Sequence, residues 1–145
     1  MENVIQYKDG YKYQLAETYL IKINIHPEKD IGTDLISLTH GGVLIIKKWY
    51  AWDGPSGPTI DTKNFMRGSL VHDALYQLIR MGLLPKEYKR QADLELKRIC
   101  LEDGMWKIRA WWVFVGVDKF ADYAADPKNK KQIFYAPKKP IPMTF

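Results

Sequence analysis

The feature that most limits how this chain can fold is a change of hydrophobic period near its middle. Ile21, Ile23 and Ile25 alternate with Lys22 and Asn24 within Tyr19 to Ile25, the period-two pattern of a half-buried strand. Leu35 to Thr39 and Val43 to Tyr50 flank His40-Gly41-Gly42, which reads as a hairpin turn. Tyr11 to Glu17 is a weaker strand candidate. Gly54-Pro55-Ser56-Gly57-Pro58 then interrupts both patterns, and residues 51–63 read as a structured loop. Beyond it the period becomes helical. Asn64 can cap a helix running to about Met81 with Gly82 as its stop. Pro85 suits the first turn of a second helix ending near Gly104. A third helix covers Met105 to Tyr123. Strands followed by helices predict an α+β fold, with a small antiparallel N-terminal sheet and a three-helix C-terminal half.

At 145 residues the chain is expected to be one domain: residues 1–50 strand-rich, 51–63 the Gly/Pro loop, 64–124 helices and 125–145 a basic tail. With 46% hydrophobic and 27% charged residues it has the balance of a globular protein and not of a disordered one. Cys100 is the single cysteine, so no internal disulfide can form. MENVIQYKDG has no basic start followed by an apolar run, so no signal peptide is expected. The longest apolar run, Ala110 to Val117, is far short of the roughly 20 residues that span a bilayer. The formal charge of +5 comes partly from Lys128, Lys130, Lys131, Lys138 and Lys139 near the end. A solvated tail is the preferred reading there; contact with nucleic acid or an anionic surface is the less favoured one, because no nucleic-acid motif accompanies the charge. The third helix is apolar nearly all round, so it is central to the core or used at an interface. Core is the preferred reading for it, with Trp106, Trp111 and Trp112 as anchors; an oligomer through this helix is the alternative.

The chemistry-bearing residues gather on the first two helices. At 100° per residue, Leu70, Val71, Ala74, Leu75, Leu78, Ile79 and Met81 form one apolar arc, with His72 at its end. Tyr76, four residues on, shares the face of His72, and Asp73 lies 100° away. These polar groups are expected at a seam, neither fully buried nor on the open face. On the second helix Tyr88, Ala92, Leu96, Ile99 and Cys100 form the apolar arc, and Asp93 sits at its edge. The short link from Gly82 to Pro85 predicts antiparallel neighbours, which lets Asp93 approach His72. A carboxylate that accepts an imidazole proton fixes the tautomer and makes the other ring nitrogen the better base. That is a general-base arrangement. Asp73, with Asp53 and backbone carbonyls of the Gly-rich loop upstream, would suit a hard cation such as calcium or magnesium. Zinc is disfavoured, since no HExxH or CxxC spacing exists. Cys100 lies on an apolar arc, where thiols are usually inert. The competing reading makes His72 a hydrogen-bonded seam residue, Asp93 its structural partner, and Asp73 an ion-pair partner of Arg80 or Arg67.

Two family resemblances rest on these residues. WDGPSGPTID, VHDALY and RQAD, in that order, resemble a family of small phage and prophage proteins, domain of unknown function 1353. Its D-G-x-S-x-P, H-D-x-x-Y and R-x-x-A-D motifs are matched by Asp53, Gly54, Ser56, Pro58, His72, Asp73, Tyr76, Arg90, Ala92 and Asp93. The match runs from about Trp49 to Trp112 and implies a phage or prophage origin, with the host cytoplasm or virion as location; it supplies no activity. The same segment is also similar to the calcium-dependent secreted phospholipases. That resemblance implies that His72 activates water, Asp73 ligates calcium, Tyr76 and Asp93 orient His72, and carbonyls of Gly54, Ser56 or Gly57 complete the metal shell. Those enzymes carry several disulfides and cysteines beside the histidine, where this chain has Ser69 to Val71.

Two functions from different classes follow. One is a virion-associated or host-interaction protein, partnered by phage structural or host proteins, whose His72-Asp73-Tyr76-Arg90-Asp93 set is a structural network. The other is a metal-assisted hydrolase of an ester or amide. The structural network is the preferred expectation from spacing alone.

Overall fold

In the computed structural model the described backbone comprises residues 5–8, 13–53, 63–125 and 133–136; side chains are described for 13–53 and 63–117. The architecture is α+β: an N-terminal antiparallel sheet region followed by three helices.

The central sheet has strand order β3-β6-β5-β4, from β3 (Tyr19–Lys22), β4 (Ile31–Gly32), β5 (Ile36–Leu38) and β6 (Val43–Ile46), all antiparallel. Alternation does what period two requires. Ile36, Leu38, Leu44 and Ile46 are buried, while Ser37, Val43 and Ile45 between them are partly exposed. The same alternation continues past the end of β3, where Ile23 and Ile25 are buried and Ile23 N–H donates to Gly42 O at 2.8 Å. The turn at His40-Gly41-Gly42 forms as expected. Gly42 has φ 88° and its N–H donates to Thr39 O at 3.0 Å, and that left-handed backbone favours glycine.

The expected strand from Val43 to Tyr50 is cut short, and a further strand forms just past it, within residues 51–63 read from sequence as loop. β6 stops at Ile46, Trp49 adopts φ 82°, and a short β7 (Ala51–Trp52) restarts against β2 (Tyr13–Gln14). Trp49 is a bulky residue in a sparsely populated region of backbone space. It is held there by its N–H bond to Leu15 O at 2.9 Å and by Gln14 Nε2, which donates to Trp49 O at 3.1 Å. β1 (Ile5–Lys8) pairs antiparallel with β8 (Ile133–Ala136), so the stretch read from sequence as a basic tail contains a strand that joins the two ends of the chain.

α1 spans Lys63–Arg80, one residue earlier than the expected Asn64 cap, so Asn64 lies inside the first turn. It stops at Gly82, whose φ of 75° lets Gly82 N–H reach Ile79 O and Leu83 N–H reach Leu78 O, each at 3.0 Å. Pro85 precedes a single 3-10 turn, Lys86–Tyr88, and α2 follows over Lys89–Glu102. Gly104 (φ 91°) ends α2 in the same way, with Met105 N–H on Cys100 O at 2.9 Å. α3 covers Lys107–Ala125. Among the described residues, no helix is long and apolar enough to cross a membrane.

The buried face of the sheet packs on Leu70, Val71, Ala74, Leu75, Leu78 and Ile79 of α1, forming the main core. A second apolar cluster, Phe65, Leu96, Cys100, Met105, Ala110 and Val113, joins the three helices. The preference for α3 as a core helix needs correction. Ala110 and Val113 are buried, but Trp106, Ile108, Trp111 and Trp112 are 84%, 75%, 49% and 63% exposed. Over residues 107–117, α3 packs against α1 and α2 with Ala110 and Val113 and leaves Ile108, Trp111 and Trp112 outward. A helix apolar on every side gives the wheel no means of choosing the buried stripe.

Candidate functional site

The site is built where α1 crosses α2. Gly68 of α1 sits against Leu96 and Cys100, whereas His72 and Tyr76, further along, meet Asp93. Rising numbers on one helix meet falling numbers on the other, so the pair is antiparallel, as the short link requires. Gly68 sets how close the helices come. A Cβ there would lie 2.9 Å from Cys100 Sγ, 2.9 Å from Leu96 Cδ1 and 3.3 Å from Leu96 O.

Close approach seals the polar groups inside. Asp93 is fully buried, and His72 is 7% exposed, deeper than the seam position read from its wheel. His72 Nε2 is 2.7 Å from Asp93 Oδ1. A carboxylate oxygen accepts, so Nε2 carries the proton and Nδ1 is left as the basic nitrogen. Tyr76 donates its phenol O–H to the same oxygen, and its ring lies against the imidazole at a centroid distance of 4.0 Å. The imidazole is therefore fixed by a bond at one nitrogen and by a packed ring on one side. Asp93 Oδ2 is buried and has no hydrogen-bond partner among the described residues.

On the other side of the ring, Nδ1 lies 4.0 Å from Asp73 Oδ1. That is too long for a hydrogen bond. A water placed about 2.8 Å from both atoms would subtend an angle of about 90° between them, a geometry a bridging water accepts. The Asp73 side chain is about one-third exposed, so this side of the dyad adjoins solvent.

The upstream wall is supplied by β7. Trp52 Nε1 donates to Ser69 Oγ at 3.2 Å, and Ser69 in turn donates to Met66 O at 2.8 Å. Ser69 lies one turn before His72 and Asp73, so Asp53 leaves the sheet beside that turn. Gly54, Ser56 and Gly57, the expected sources of carbonyl ligands, lie outside the described residues. Among the described residues no group of three or more His, Cys, Asp or Glu side chains is placed to hold a metal. Asp53 and Asp73 thus do not make a cation site by themselves. Arg90 is exposed on α2, with its guanidinium 5.6 Å from the Phe114 ring centroid.

Two polar anchors near the site were not singled out by spacing. Arg67 is bound to Asp103 through Nε at 3.0 Å and through Nη2 at 2.7 Å, to Glu102 at 2.9 Å and to Tyr19 Oη at 3.0 Å. These bonds tie α1 to the end of α2 and to β3, and they take Arg67 away from the role of Asp73 partner. Asp103, then Tyr19 and Glu102, hold the guanidinium more firmly protonated, against the opposing effect of burial. Glu95 is buried and accepts the backbone N–H of Asn24 at 2.7 Å and Arg98 Nε at 2.8 Å. It closes the frayed end of β3 onto α2. The sequence carries a hint of one of them: at 100° per residue Arg67 falls inside the apolar arc of its helix, between Ala74 and Leu78, whereas Glu95 falls only beside the arc of the second helix, a signal shared with many surface charges. Cys100 behaves as its arc position suggests: burial first, then Asp103, pushes its thiol up to about 11.

No protein-family model matches the chain, nor does any curated protein or solved structure.

Proposed function

We propose that the protein is a hydrolase of ester or amide substrates in which His72 is the general base. The observation that carries this reading is the asymmetry of the imidazole. One nitrogen is bound to a buried carboxylate that also receives Tyr76, while the other is left basic on the side where Asp73 meets solvent. Nδ1 would take a proton from water as the water oxygen bonds to the substrate carbonyl carbon. The imidazolium so formed remains bound to Asp93. It then returns the proton to the departing alcohol or amine as the carbon–heteroatom bond breaks, which restores neutral His72. Tyr76 and Asp93 are positioning residues in this scheme.

A second reading is favoured by the burial of His72. The same bonds would then serve only to fasten α1 to α2 in a virion-associated or host-interacting phage protein, the origin implied by the three ordered motifs. Purified protein assayed against chromogenic esters and anilides separates the two. The hydrolase reading expects turnover that falls about 100-fold or more in His72→Gln, with the thermal midpoint lowered only slightly. Absence of turnover in the wild type, with a large loss of stability in His72→Gln, would establish the fastening role instead.

A further inference from the structure

The hydrolase reading gives roles to His72, Asp93 and Tyr76 but none to Asp73, whose position argues for one. Asp73 Oδ1 lies 4.0 Å from His72 Nδ1, and the Asp73 side chain is about one-third exposed. The imidazole cannot turn away from it, because Nε2 is bound to Asp93 at 2.7 Å and the Tyr76 ring packs on one side. Nδ1 and Oδ1 thus border one gap that adjoins solvent. An atom about 2.9 Å from both would see them at an angle of about 90°. The lone pair and an N–H of a tetrahedral nitrogen diverge by about 109°. A leaving nitrogen seated in the gap can therefore take the Nδ1 proton on its lone pair and donate its own N–H to Asp73, with each bond bent by only about 10°. An ester oxygen seated there has no hydrogen to donate. It turns a lone pair toward an acceptor-only carboxylate, and the two repel. Asp93 Oδ1 accepts two donors at once, and a carboxylate oxygen has that capacity in general, so this contact is compatible with others made by Asp73.

We infer that the substrates are amides whose leaving nitrogen carries a hydrogen, that Asp73 accepts this N–H, and that the site discriminates against esters. The inference rests on His72 as the general base. Water oxygen bonds to the carbonyl carbon as a water proton passes to Nδ1, and the carbonyl π pair moves to oxygen. The imidazolium then gives its proton to nitrogen, which keeps the electron pair of the breaking C–N bond, and the carbonyl re-forms. The products are a carboxylic acid and an amine. Asp73 neither gains nor loses a proton. Nitrogen becomes positively charged as it is protonated, so its N–H bond to the carboxylate strengthens at the moment of cleavage. An alcohol leaving by the same route ends neutral and gains nothing comparable.

The test offers the full chain one acyl group as its nitroanilide, its N-methyl nitroanilide and its nitrophenyl ester, with kcat/KM divided by the rate of each compound with hydroxide. The wild type should favour the anilide over the other two by about tenfold or more. His72→Gln should abolish turnover of all three. Asp73→Ala should lower anilide turnover by about 10–100-fold and ester turnover by much less, which removes the preference. Asp73→Asn keeps an uncharged acceptor and should restore part of it. If Asp73→Ala does not fold, by its circular-dichroism melting curve, Asp73→Asn and the N-methyl comparison in the wild type still decide the matter. An anilide-to-ester ratio unaltered by both Asp73 changes would overturn the inference and leave the hydrolase reading standing. So would an N-methyl anilide cleaved as readily as its parent. Absence of turnover of all three compounds, or turnover that persists in His72→Gln, would remove the hydrolase reading and this inference with it.

Discussion

Asp93 has given up all contact with water, and its compensation is concentrated on one oxygen. Its partners contribute unequally, and this makes the cluster testable one residue at a time. Tyr76→Phe removes a single donor and leaves the dyad, so it should cost about 1–2 kcal/mol in urea unfolding. Asp93→Ala leaves the His72 N–H and the Tyr76 hydroxyl buried with no acceptor, and should cost roughly 3–5 kcal/mol. Asp93→Asn keeps an acceptor oxygen and should fall between them. If Asp93→Ala proves no worse than Tyr76→Phe, the carboxylate is not the hub. Cys100 gives a separate check. Burial beside Gly68, with the thiol pushed up to about 11, leaves little thiolate near neutral pH. Its reaction with a disulfide reagent in native protein should therefore be slower than in denatured protein by orders of magnitude. Rapid native labelling would contradict the packing described.

At the scale of elements, the decisive contact is the crossing of α1 and α2. Glycine inside a helix costs about 1 kcal/mol relative to alanine, so Gly68 is there for space, not for helix formation. Gly68→Ala should destabilise by about 1–3 kcal/mol even though it raises helix propensity, because Cys100 and Leu96 already occupy the volume. Combining it with Cys100→Ala should recover part of the loss, and strict additivity in that double-mutant cycle would refute the contact. Gly82→Ala is a contrasting case. Nothing crowds a Cβ there, and the cost, about 1 kcal/mol, comes from its φ of 75° alone. A partner change at Cys100 should leave that cost unaltered.

At the scale of the whole molecule, side-chain hydrogen bonds among the described residues tie the sheet region to the helices. Glu95 reaches Asn24, Arg67 reaches Tyr19, and Trp52 reaches Ser69. The Arg67 cluster makes one of these ties depend on pH. Hydrogen bonding to Arg67, then the charges of Arg98 and Arg67, holds the Glu102 carboxyl below its ordinary value, against the opposing effect of burial. A carboxyl lowered by folding stabilises the fold above its ordinary value, and the gain disappears as pH falls through the lower folded value. Glu102→Gln should thus flatten the acid limb of the stability curve while leaving the fold intact. The difference from wild type should shrink in high salt, since Glu102 is exposed. A variant that instead loses stability equally at acid and neutral pH would show that packing, not charge, is at work.

The order of elements was legible because alternation in Ile21–Ile25, the Gly42 turn, and the stops at Gly82 and Gly104 are local signals, read from a few neighbouring residues. The meeting of His72 with Asp93 was also within reach. A short link forces antiparallel helices, and each residue lies at the edge of an apolar arc. Three features were not legible. The break at Trp49 rests on bonds to Gln14 and Leu15, over thirty residues away. The pairing of Ile5–Lys8 with Ile133–Ala136 joins segments that carry no mark of each other. Which stripe of α3 turns outward depends on what α1 and α2 leave uncovered. The sequence by itself determined the local periods, the caps and the chemical groups available at residues 72, 73, 76 and 93. Only the tertiary structure decided the depth of His72, the closeness allowed by Gly68 and the exposure of Trp111 and Trp112. Burial is a property of the surroundings, and these assemble from parts of the chain that no local pattern connects.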